Sequence, residues 1–194
     1  MFLAELMNEV DESREAVVSI DWAYTTTISA DVDLATPVWL NITGVCGMNG
    51  SEVTVPDSPT FTFNMDPSWN ATISGDILFI GSHLHDGGVK LKVKRNDKTL
   101  CDGVAGYGES PGYMESMDMA YVHHRDDMPG MVMEHISSIT KCVGVGETQL
   151  DDAWAVEAHY NLTAHPTMMD EDGKSAPVMG IALVYIADRK ANGS

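Results

Sequence analysis

A two-residue rhythm runs through most of this chain and leaves little room for anything but a β-fold. Val89-Lys90-Leu91-Lys92-Val93-Lys94 alternates apolar and cationic residues, so an extended backbone buries one face and wets the other. Asn96-Asp97 supplies a hairpin turn, and Thr99-Leu100-Cys101 begins the return. Trp154, Val156, Ala158, Tyr160 and Leu162 share one face, opposite Glu157, His159 and Asn161. The closing run from Val178 to Ile186 is apolar on both faces, which predicts a central strand. Further strands are expected over 16–27, 38–43, 60–63, 77–80 and 136–143. Loops are expected over 47–59, 164–177 and a long Gly/Met/Asp-rich insertion, 103–130. Only Phe2 to Val10 hints at a helix. The reading is an all-β, antiparallel, jelly-roll-like sandwich over 16–190, preceded by a tail, 1–15.

Charge narrows the partners. Eleven basic residues against 29 acidic ones give a formal net charge of −18, which repels phosphate backbones and makes nucleic acid an unsuitable partner. No apolar run reaches the roughly 20 residues needed to span a bilayer. The first residues, Met1 to Met7, lack the basic region and long apolar core of a signal peptide. Asn-x-Ser/Thr sites at Asn41, Asn49, Asn70, Asn161 and Asn192 nevertheless predict passage through a glycosylating route and a secreted protein. Three cysteines fit one disulfide plus one odd thiol. In an oxidising compartment Cys101 pairs with Cys142, since each follows a strand-like run, and Cys46 is left over. The alternative is three reduced, buried thiols.

The chemistry concentrates in Gly81-Ser82-His83-Leu84-His85-Asp86-Gly87-Gly88. If the strand before it continues, His83 and His85 offer two imidazoles to one metal ion from the same face. A chance His-x-His in a surface turn is the competing explanation. The 13 methionines supply thioethers, soft donors that suit Cu(I), so a His-His-Met copper site is chemically sensible. His135 and His165 are possible additional ligands, each otherwise a hydrogen-bonded structural histidine. Asp86 either orients an imidazole as an acceptor or is simply a turn residue before two glycines. His123-His124, in an acidic loop, reads as solvated, and His159 as surface.

These residues carry a resemblance. The run Gly81 to Leu91, with the later Ala153 to Asn161 and Val178 to Ile181, resembles the second copper domain of peptidylglycine α-hydroxylating monooxygenase. The likeness is closer to the stress up-regulated nodulin family, through HLHDGG at His83 to Gly88, His135-Ile136-Ser137 before Cys142, and VMGI at Val178 to Ile181. It spans about Trp39 to Ile186. The resemblance implies a mononuclear copper held by His83, His85 and Met179, without the separate histidine-bound copper domain of the monooxygenase. Three functions then stand open. One is a secreted copper-binding protein with a redox or copper-handling role. Another is a single-domain copper-dependent oxidative enzyme acting on a small-molecule or extracellular substrate, which Tyr107, Tyr113 and the 103–130 insertion would position. The third is an extracellular interaction domain with a vestigial site.

Overall fold

The computed structural model describes residues 13, 15, 17–21, 23, 34–45, 50–110, 113–116, 132–170 and 173–188. The chain divides into two units, Met1–Val32 and Asp33–Ser194. In the first, the described residues, Val17 to Asp21 among them, form no strand, contrary to expectation over 16–27. Apolar, β-branched composition makes a strand only where another strand pairs with it. The helix hinted at over Phe2 to Val10 lies outside the described residues, as do Cys46, Asn49, His123, His124 and Asn192.

The second unit is the expected antiparallel sandwich. Its strands in order are β1 (Ala35–Asn41), β2 (Glu52–Val53), β3 (Thr60–Asn64), β4 (Trp69–Asn70), β5 (Gly75–Leu84), β6 (Gly88–Arg95) and β7 (Lys98–Tyr107). They continue as β8 (Met114–Ser116), β9 (Val132–Glu134), β10 (Ile136–Ile139), β11 (Cys142–Val143), β12 (Glu147–Thr148), β13 (Ala153–Asn161) and β14 (Val178–Asp188). One sheet runs β1-β14-β5-β11, with β2 beside β14 and β12 beside β5; the other runs β10-β7-β6-β13-β3, with β4 beside β13. β8 and β9 pair with each other.

The alternation noted in the sequence sets which faces meet. In β13, Trp154, Val156, Ala158 and Tyr160 are buried, and across the core so are Ile80, Leu84, Val178 and Val184. Each fully buried aliphatic side chain stabilises the fold by about 1.5–3 kcal/mol. The Trp154 indole N–H donates to the Thr148 hydroxyl at 3.0 Å, so its one polar atom is satisfied in the core. Asn96 and Asp97 take positive φ values of 48° and 63°, as a two-residue hairpin turn demands. β14 lies between β1 and β5, the central place its two apolar faces predict.

Two expectations change. Residues 136–143 are two strands, β10 pairing with β7 in one sheet and β11 with β5 in the other. The chain changes sheets between them, and the Cys101–Cys142 disulfide then ties β7 to β11 across the sandwich. The insertion expected from Gly103 begins later, because β7 continues to Tyr107 against β6 and β10.

Gly180 marks the closest approach of the layers. A Cβ there would lie 2.7 Å from Ala158 Cβ and from Ile42 Cγ2. Gly180→Ala is expected to lower stability by about 1–3 kcal/mol in urea unfolding, as overpacking of a filled core does.

Candidate metal centre

The β5–β14 register organises the site. Ile181 stands opposite His83 and Gly180 opposite Leu84, which brings Met179 level with His85. Leu84 and Gly180 are buried. By strand parity His83 and Met179 turn to the other, outward face. His85 follows β5 directly, and its ring centroid is 5.4 Å from that of His83, with the planes at 87°.

The protonation of both rings suits a metal. His85 Nδ1 is 2.8 Å from the Pro177 carbonyl oxygen. A carbonyl only accepts, so Nδ1 carries the proton and Nε2 keeps its lone pair for a ligand. His83 is exposed as a residue, yet neighbouring atoms desolvate its imidazole. That desolvation first, and the adjacent His85 second, lower its pKa below the ordinary 6.5, favouring the neutral, ligating form. Met179 is half-buried and adds a soft sulfur on the same face. Two imidazoles and a thioether fit copper, which accepts both donor types.

The outward face beyond His83 is apolar. Successive rows across β1, β14 and β5 place Trp39 beside Leu183 and Gly81, then Pro37 beside Tyr185 and Phe79. The Phe79 ring lies over Gly81, where a Cβ would meet its Cε1 at 2.7 Å. Trp39 is 54% exposed. In a chain with 29 acidic residues, these two rows hold no carboxylate.

The remaining candidates have other partners. Asp86, 6% exposed, does not reach back to His85. Its Oδ2 accepts from His135 Nδ1 at 2.5 Å and its Oδ1 from the Ile136 N–H at 2.9 Å. It thereby pins the β5–β6 turn to the start of β10. His165 lies flat on Tyr107, centroids 3.6 Å apart and planes within 5°. Tyr107, a candidate for lining a substrate cleft, donates its hydroxyl to the Gly88 carbonyl at 2.8 Å, and burial foremost raises its pKa. Among the described residues no three His, Cys, Asp or Glu side chains gather as a metal set, so neither His135 nor His165 completes the imidazole pair. His159 is on the far sheet, bonded to Glu157 and Thr62.

Of the glycosylation candidates, Asn70 is exposed and Asn161 half-buried. Asn41 is 3% exposed, and its Nδ2 donates to the Val45 carbonyl and the Ser51 hydroxyl, which leaves a glycan no room. The sequence reading missed two contributors. The Pro177 carbonyl carries no side-chain signal at all. The Tyr160 hydroxyl, which donates to the Met179 carbonyl, could have been suspected from a phenol on an inward strand face that needs an acceptor.

No family model and no solved structure matches this sequence. Two curated relatives do. The probable copper-dependent oxygenase M1 of Phoma sp. (strain ATCC 20986 / MF5453) is 29% identical over 182 residues. The probable copper-dependent oxygenase clz3 of Cochliobolus lunatus is also 29% identical over 182 residues. The alignments cover 94% of this chain but 42% and 52% of those proteins, so the chain spans about half the length of the relatives it matches.

Since Asp86 serves a backbone amide and an imidazole, its removal should act on folding before metal binding. Asp86→Ala is expected to cost about 1–3 kcal/mol in chemical unfolding, through the buried donors left without their acceptor. A loss of copper affinity at unchanged stability would instead make it an orienting residue for His85.

Proposed function

We propose that this chain holds one copper ion through His83, His85 and Met179 and takes part in copper-dependent oxidation. One observation carries the reading: the His83 and His85 rings are neighbours, and strand alternation from the Gly180–Leu84 pair puts Met179 of β14 on the same side. The names of both relatives agree with it.

Bound copper would supply one-electron redox chemistry toward dioxygen or peroxide. The chain's own residues would do the rest. His83 and His85 donate as neutral imidazoles, and the Pro177 carbonyl fixes the His85 ring. The Met179 thioether favours the reduced ion. Trp39, Leu183 and the Phe79 ring offer an uncharged surface beside the ligands for an apolar part of a small-molecule substrate. The Cys101–Cys142 disulfide supports a secreted location, with Asn70 and Asn161 as the glycan acceptors.

The exposure of His83 favours a second reading, copper handling, in which a partner protein reaches the ion directly. Oxygen uptake with a reductant separates the two. Uptake that needs copper and disappears in His83→Ala supports oxidation, whereas tight copper binding without uptake supports handling.

Met179→Ile should keep the fold, since the two side chains are close in volume, and weaken Cu(I) far more than Cu(II). Equal losses in both states, measured with competing chelators, would exclude a sulfur ligand. Acidification should release the metal as protons compete for the imidazole nitrogens. Copper content that stays constant well below about pH 6.5, the free imidazole value, would exclude the histidines.

A further inference from the structure

We propose that Tyr160 is a positioning residue for the Met179 thioether, acting through the hydroxyl it donates to the Met179 carbonyl oxygen. The proposal rests on the copper reading above and adds to it a residue of the opposite sheet.

Met179 sits where β14 is weakly held. Pairing of β14 with β1 ends at Asn41–Ile181, and pairing with β5 ends at Leu84–Gly180. Beyond those points the Ile42 N–H donates to the Gly180 carbonyl at 3.0 Å, and among the described residues the two-residue β2 lies alongside, through Val53–Val178 and Glu52–Met179. The next residue is Gly180, the most permissive backbone unit available. A long side chain with three rotatable bonds therefore projects from a stretch that its own sheet barely fixes.

The other sheet provides the anchor. Tyr160 is buried on the inward face of β13. Its ring stacks on Phe61 with centroids 5.1 Å apart and planes within 11°, and meets Phe63 edge-on at 6.3 Å. Those contacts aim the hydroxyl across the core at the Met179 carbonyl. The close approach at Gly180 and Ala158 brings the two within reach. Burial, the largest influence, raises the phenol pKa, and the hydroxyl oxygen also faces the main-chain N–H of His85. Tyr107 makes a similar hydroxyl-to-carbonyl bond, but to Gly88 of β6 and not to a residue of β14.

The test compares Tyr160→Phe, which keeps the ring and its stacking, with Tyr107→Phe and Met179→Ile. Tyr160→Phe should weaken Cu(I) about tenfold and leave Cu(II) nearly unchanged. The copper potential then falls by about 59 mV, the one-electron equivalent of that factor. Tyr107→Phe should leave the potential where it is. In the Met179→Ile background the effect of Tyr160→Phe should vanish, because the pathway runs through the sulfur. Equal weakening of both oxidation states, or an effect that persists without Met179, would overturn the proposal.

A metal-free measurement keeps it separate from the copper reading. In the copper-free protein the Met179 ε-methyl carbon signal should move toward its conformationally averaged position in Tyr160→Phe. That outcome in a protein that binds no copper would sustain the positioning role and sink the copper reading. An unmoved methyl signal would sink the positioning role whatever the metal does. Should Tyr160→Phe prove unstable, Phe61→Leu, which loosens the stacked ring and spares the hydroxyl, should give a smaller shift of the same methyl signal. No shift there would count against the proposal.

Discussion

The antiparallel pairing of β5 with β14 is the contact on which the rest of the molecule depends. It joins the strand leading into the His-x-His turn to the strand carrying Met179, and supplies Ile80, Leu84, Val178 and Val184 to the core. A slip of one residue would exchange the faces of either strand. Burying Met179 and exposing Gly180 would then be as unfavourable for packing as for any metal. Core formation and presentation of the candidate ligands are thus set by the same register.

The second sheet does more than cover the first. Asp86 fastens the crossover turn to β10, Tyr107 holds the Gly88 carbonyl, and Tyr160 holds that of Met179. In each case a side chain captures a main-chain group or the segment next to a candidate ligand. The disulfide adds a covalent tie between β7 and β11, and β11 pairs with β5 at Ile80. The segments around the imidazole pair are therefore gripped from behind, while on the other face His83 is exposed.

Much of this could be read from the sequence because it is written in alternation. β6, β13 and β14 lie where the patterns of Val89–Lys94, Trp154–Leu162 and Val178–Ile186 put them. Pairing is another matter, since a strand needs a partner the local pattern does not name. Val17 to Asp21 has the composition of a strand and none of the pairing, and 136–143 reads as one run yet divides between two sheets. Side-chain partners were harder still. Asp86 adjoins His85 in sequence but bonds His135, 49 positions away, because the turn aims its carboxylate at the opposite sheet. Asn41 satisfies the glycosylation pattern but ends β1 in a closed amide network, which no local motif reports.

The placement of β14 bears on when the candidate ligands come together. Within this chain the two imidazoles precede the thioether, and the strand bearing the sulfur is the one that fits between β1 and β5. A nascent or clipped chain lacking that strand has neither a closed first sheet nor a third donor. Under the copper reading, retention of the ion would follow the insertion of β14: a chain in which that strand is not yet seated would offer two imidazoles and no sulfur.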